Sequence, residues 1–372
     1  MKNSGSHKTL KVLLVGFVGF FALIGLVLTM AYFAVKFHLT DDPGVVDLND
    51  RYFQEIKDKY GRTSDKDAAK INFSEVRLLH SLNVLGKYYP ANAFYIQNAY
   101  FKSHNLGQAQ QMIQAVDLHM QDNAEYHAEV NRFEENNNPK EVQAKDGSVF
   151  EWMNIPEWKD FKLAVTKDKH LIDSVAILTG VEPRLIVSVL VGEQIRLFNS
   201  SREAYKKWIG PLKILSVETT FSLGVTGIKI PTAQTIEKNL KDNTSMFYLG
   251  AKYENLLDFQ SKNIAQERFN RLTSYKNHFY SYMYAALNVK QIKVQWEKSG
   301  FPIGDRPEIL ATLYNIGYEV SVPKENPEVG GSSINIKGKK YSFGAVAYEF
   351  YYSGEFYDLF PFKNSKFDFT DV

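Results

Sequence analysis

Pro183-Arg-Leu-Ile-Val-Ser-Val-Leu-Val-Gly-Glu193 is the stretch that decides how this chain is read. Leu185, Ile186, Val187, Val189, Leu190 and Val191 are too continuous for a surface helix, so the pattern predicts a buried helix with a carboxylic acid at its end. Burial disfavours the charged form of a carboxyl group, which favours an acid that still holds its proton near neutral pH. Gly192 costs a helix roughly 1 kcal/mol against Ala and calls for a reason, such as close approach of another backbone or a ligand. Taken alone, Glu193 reads as a helix-terminal surface residue. Two polar motifs downstream change that reading: Ser222-Leu-Gly-Val-Thr-Gly-Ile-Lys-Ile-Pro-Thr-Ala233 and Leu313-Tyr-Asn-Ile-Gly317.

In this order and spacing, the three motifs resemble the lysozyme-like lytic transglycosylases of bacterial cell walls. That family carries a helix-terminal Glu, then Gly-Leu-Met-Gln-Ile-Met-Pro-x-Thr-Ala, then Ala-Tyr-Asn-x-Gly. Gly224 to Ala233 reads in the same register, with identities at Gly224, Ile228, Thr232 and Ala233, and Tyr314, Asn315 and Gly317 match the last motif. The resemblance covers roughly residues 160 to 355. The chain departs from it in three ways: Gln194 stands where the family has Ser, Gly227 where it has Gln, and Pro231 is displaced by one position. An extra segment, Asn199 to Gly210, lengthens the stretch between Glu193 and Gly224.

The resemblance implies that Glu193 is a general acid and then a general base. It would protonate the oxygen bridging N-acetylmuramic acid and N-acetylglucosamine, then accept a proton from the muramic C6 hydroxyl that attacks the anomeric carbon. A second carboxylate is then unnecessary, whereas a two-carboxylate hydrolase needs a partner acid at a defined separation. Glu218 is the one attractive partner, and its plainer reading is a solvated loop charge. Ser222, Gly224 and Gly227 belong to the expected cleft loop, where glycine allows positive φ and close approach to a sugar ring; an ordinary turn has equal claim to those glycines. By the same resemblance, backbone near Ile228 would bind the substrate acetamido group, and Asn315 would help line the cleft. The Tyr314 hydroxyl is expected to reach Glu193 or the developing positive charge, while the commoner fate of a buried Tyr hydroxyl is a backbone partner. No cofactor is implied.

Val12 to Val35 carries no charged residue, with Lys2, Lys8 and Lys11 before it and Lys36, Asp41, Asp42, Asp47 and Asp50 after it. At ~1.5 Å per residue, a helix of this length exceeds the ~30 Å hydrocarbon core. The expectation is a cytoplasmic tail at 1–11, an uncleaved signal anchor crossing the lipid bilayer at 12–36, and a C-terminal part exported to the periplasm or wall side of the bacterial inner membrane.

The absence of cysteine excludes disulfides and thiolate chemistry. A net charge of +2 with interspersed signs gives no nucleic-acid footprint, and the eight histidines form no close ligand cluster, so no metal site is expected. Residues 38–145 read as a helical juxtamembrane region. Amphipathic spacing runs from Val76 to Tyr88, and further helix is expected at Phe94–Phe101 and Leu106–Met120. Asn131 to Gly147 reads as a linker. Residues 150–360 read as the lysozyme-like domain, with helices at 171–179, 184–198, 232–241, 244–260, 264–289 and 306–315. A small hairpin follows, turning at Lys337-Gly338. The fold class is therefore mostly α with minor β, and the expected partners are peptidoglycan glycan strands. Two alternatives stay open. One is a lysozyme-like scaffold that binds wall glycan or an envelope-complex partner without cutting. The other is a peptidoglycan glycosyltransferase, faintly echoed by Glu193 to Phe198 and Thr235 to Leu240.

Overall fold

The computed structural model describes residues 75–131, 142–198, 224–274 and 276–362. Four helices come first: α1 (Glu75–Tyr88), α2 (Pro90–Ser103), α3 (Leu106–Asp117) and α4 (Ala124–Asn131). A short 3₁₀ turn at Glu151–Asn154 leads to α5 (Pro156–Lys167), α6 (Lys169–Thr179) and α7 (Pro183–Phe198). Then come α8 (Ile230–Lys241), α9 (Ile264–Thr273), α10 (Phe279–Lys298) and α11 (Pro307–Ile316), the hairpin β1 (Ser333–Ile336) and β2 (Lys339–Ser342), and α12 (Phe343–Tyr352). The fold is mostly α with one two-stranded antiparallel sheet.

Local chemistry sets these boundaries. Pro90, Pro156, Pro183 and Pro307 open their helices, where a missing N–H costs nothing. Asn105 caps α3 by accepting from Gln108 N at 3.0 Å, and Ser342 caps α12 by accepting from Ala345 N at 3.2 Å. Gly180 ends α6 in the left-handed conformation. The hairpin turns at Lys337-Gly338, both at positive φ, as the alternating sequence predicts.

Two helix expectations are corrected. Residues 244–260 are not a helix: they form turns with one short 3₁₀ segment, Ala251–Tyr253. Asp242 starts this irregular path by accepting from Thr244 N at 3.0 Å, a local bond that competes with helix continuation. The stretch 264–289 is also broken, because α9 stops at Thr273 and α10 starts at Phe279. At the break, Ser274 Oγ accepts from Asn277 N and Asn277 Oδ1 accepts from Phe279 N.

One buried core runs through the described residues, from Leu78 in α1 to Phe362. α12 lies at its centre. It packs on α7 and α11, and α3 reaches it from the N-terminal helices. Glu349, fully buried on α12, binds Trp152 Nε1 at 2.7 Å and His119 Nε2 at 2.9 Å. Trp152, Trp158 and Phe161 form an aromatic cluster, with Trp152 edge-on to Trp158 and Trp158 stacked on Phe161. No helix among the described residues is long and apolar enough to cross a membrane. The span at 12–36 lies outside those residues.

α10 buries a cation. Lys290 is 3 % exposed, with its ammonium 4.8 Å from the centre of the Tyr253 ring. Burial, with help from Lys293 and Lys252, pushes it from 10.5 down to about 8. Between those two values the unfolded chain holds a proton that the folded chain has released, so stability should rise with pH through that window. Measured between pH 7 and 9, below the range where tyrosines ionise, the urea midpoint is expected to climb in the wild type. The slope should flatten in Lys290→Met; an equal slope in the variant would assign the effect to other groups.

Candidate functional site

The site is built from the C-terminal half of α7, the loop Gly224–Ile228 and the end of α11; Glu193 does not end its helix as expected but lies within it, since α7 continues to Phe198. Val187, Val189 and Val191 are buried along α7, and Glu193 follows them at 3 % exposure. Its carboxyl group lies against Gly227: a Cβ there would sit 2.5 Å from Glu193 Cδ, and Gly227 holds φ at +66°. A side chain at position 227 would be strained by that φ and would have to push the Glu193 carboxyl group aside. The acid and the glycine loop predicted to face it are thus in contact. Gly224, at φ +62°, is fixed by a different neighbour, since its Cβ would collide with the Leu272 carbonyl oxygen at the end of α9.

Side chains from two helices hold the loop. Gln194, the residue after the acid, donates its amide to Val225 O at 2.7 Å. From α11, the Tyr314 hydroxyl donates to Thr226 O at 2.6 Å. Tyr314 therefore takes the backbone partner typical of a buried Tyr, and that carbonyl belongs to the loop which touches Glu193. Ile228 is buried at the loop's end. Asn315 is placed at the root of the hairpin, where its Oδ1 accepts from Ser332 N at 2.7 Å and Ser332 Oγ at 2.9 Å. Ser222 and Glu218 lie outside the described residues.

Gly192 is explained by the ring of Phe343, the first residue of α12. A Cβ at 192 would come within 2.6 Å of its Cζ. The other side of this contact is Tyr314, whose ring is stacked near Phe343 with centroids 6.4 Å apart. Sequence reasoning anticipated a close approach at Gly192 but named a backbone or a ligand, and it missed Phe343. It also missed Thr226, which is fully buried with a hydroxyl that has no hydrogen-bond partner. Nothing in the sequence around Thr226 marks it, because burial of a loop hydroxyl depends on tertiary contacts.

Chemically, the arrangement holds a buried carboxyl group of α7 against a glycine loop, which suits proton transfer to a ligand atom brought to that loop. Among the described residues, no group of three or more His, Asp or Glu is arranged to hold a metal ion. Comparison of the chain with protein-family models, curated proteins and solved structures gives no match.

Two stability measurements test this packing. Gly192→Ala gains helix propensity of up to about 1 kcal/mol but overpacks Phe343, so a net loss of about 1–3 kcal/mol is expected. Phe343→Leu in the same chain should recover part of that loss, giving a favourable coupling in the double-mutant cycle. Thr226→Val replaces an unpaired buried hydroxyl by a methyl of the same shape and should stabilise the protein by about 1 kcal/mol in chemical denaturation. A destabilised Val variant would mean that the hydroxyl has a partner in solution.

Proposed function

We propose that this protein is a membrane-anchored peptidoglycan lytic transglycosylase that cleaves the N-acetylmuramic acid to N-acetylglucosamine bond with Glu193 as general acid and base. One observation carries the reading. The acid of the first motif is buried against Gly227 of the second, and Tyr314 of the third holds the same loop through Thr226 O. Sequence resemblance and spatial convergence thus point to one place. In this reading Glu193 gives its proton to the bridging oxygen as the glycosidic bond breaks. It then takes a proton from the muramic C6 hydroxyl as that oxygen bonds to the anomeric carbon, so the acid is regenerated and no water is consumed. The Lys-flanked apolar span at 12–36 supports anchoring in the bacterial inner membrane, with residues 38–372 on the periplasmic or wall side.

A second reading, a glycan-binding or envelope-complex scaffold that does not cut, is favoured by two details. Glu193 is only 3 % exposed, and the Tyr314 hydroxyl is bonded to a backbone carbonyl.

Incubation of the full chain in detergent micelles with purified peptidoglycan, followed by mass analysis of soluble products, separates the two. Products ending in 1,6-anhydro-muramic acid, one water lighter than hydrolysed ends, are expected from the wild type, because the internal hydroxyl has the proximity advantage. Glu193→Gln is nearly isosteric but cannot transfer the proton; it should lose cleavage by at least about 10²-fold with an unchanged unfolding midpoint. Hydrated reducing ends would point instead to a water-activating partner, with Glu218 the residue to substitute next. No cleavage by the wild type, with glycan binding retained, would establish the scaffold.

A further inference from the structure

The residue next to the acid shares the same loop with it. Glu193 and Gln194 are consecutive residues of α7, and each meets the Gly224–Ile228 loop: the carboxyl group of Glu193 rests on Gly227, and the amide of Gln194 donates to Val225 O at 2.7 Å. Tyr314 takes the next carbonyl, Thr226 O, from the opposite helix. Two consecutive carbonyls are therefore held from two sides, immediately before the glycine that faces the acid. With a left-handed glycine at each end, at 224 and 227, the loop lacks the side-chain restraint that would otherwise fix its path.

We infer that Gln194 is a positioning residue for Glu193: its amide sets the separation between the acid and the loop against which a ligand atom is delivered. This rests on the function proposed above. A group that must meet a reacting atom within hydrogen-bond reach tolerates little displacement, since an error of about 1 Å can cost about 10²-fold in rate. Gln194 is half-buried and reaches the loop directly from the acid's own helix. It therefore transmits any shift of α7 to the loop and keeps acid and loop moving together. Serine, the shorter residue at this place in the family the sequence resembles, would have a hydroxyl but not the reach of the Gln amide.

The test uses the full chain and three variants with two independent readouts. In Gln194→Met, amide hydrogen exchange at Val225–Ile228 should accelerate by roughly tenfold, the equivalent of one lost neutral hydrogen bond, while exchange in α10 stays unchanged. For peptidoglycan cleavage, kcat should fall by roughly tenfold or more with little change in KM. Gln194→Ser should behave like Met, because its hydroxyl falls short of Val225 O.

Gln194→Glu is the diagnostic variant. A carboxyl at 194 can donate to Val225 O only while protonated, and an ordinary Glu titrates near ~4.3. When ionised it also stands beside Glu193 and faces the carbonyl with like polarity. Its cleavage profile should therefore be displaced to acid pH, with activity recovering towards wild type as the pH falls, a response that a merely space-filling role does not produce. If the wild type cleaves nothing, the function proposed above fails, and the exchange measurement still decides whether Gln194 clamps the loop. Unchanged loop exchange in Gln194→Met overturns the positioning role. So does faster loop exchange with full kcat, or a Gln194→Glu profile that coincides with the wild type.

Discussion

Arg184 is the second residue of α7, fully buried, and gives its guanidinium to four backbone carbonyls. Nε donates to Tyr351 O at 2.7 Å, Nη1 to Glu355 O and Phe360 O at 2.9 and 3.0 Å, and Nη2 to Phe350 O at 3.0 Å. Phe350, Tyr351 and Phe362 bring their rings within 6 Å of it. A buried charge survives only when its donors are used; two of the acceptors, Phe350 O and Tyr351 O, lie in the last turn of α12 at the negative end of its dipole, and the other two, Glu355 O and Phe360 O, lie in the chain beyond it. Burial pushes Arg184 down to about 10, which still leaves it a cation at neutral pH. The interaction fastens the start of α7 to the end of α12.

The other end of the same helix pair is fixed by shape. Near the end of α7, Gly192 admits the ring of Phe343 from the start of α12. The two helices therefore run antiparallel, gripped by charge at one end and by a ring in a glycine notch at the other. Glu193 is the next residue after that notch, so its place is dictated by a helix pair fastened at both ends. α12 is held in turn from the N-terminal side by His119 and Trp152 on Glu349, and Gly354 beyond it leaves room for Tyr95 O and Met112 of α2 and α3. The helices of 75–131 thus brace the helix that braces the acid, which goes beyond what a spacer has to do.

What the sequence could reveal follows from how local each signal is. The apolar run before Glu193 and the Lys337-Gly338 turn are written in neighbouring residues, and each is found where the pattern placed it, whereas α2 starts at Pro90, ahead of the expected Phe94. The contact between Glu193 and Gly227 was legible only as an order of motifs, because 34 positions separate the two in sequence. The roles of Arg184, Phe343 and Gln194 were not legible at all. Each depends on which carbonyl or ring a distant segment brings up, and a buried Arg looks like any charge in an apolar stretch until four acceptors surround it. The false helix at 244–260 is the reverse case: Tyr248, Leu249, Leu256 and Leu257 have usable spacing, but Asp242 and Ser245 satisfy the backbone locally and the chain turns instead.

The buried carboxylates decide how far a two-acid mechanism can be carried. Glu308 is paired with Arg306, Glu349 with His119, Glu355 with Lys162, and Asp168 with His278 and the Tyr282 hydroxyl. Each of these groups is tied to a cation or a donor that holds an element in place, and moving a proton onto any of them would loosen the fold it supports. None is free to serve as the second carboxylate of a glycosidase. A reaction at Glu193 could therefore take no second acid from these four buried groups without cost to the fold. Under the function proposed above, that leaves the advantage with an internal hydroxyl, held near the reacting carbon by the sugar itself, over a water that the protein would have to activate.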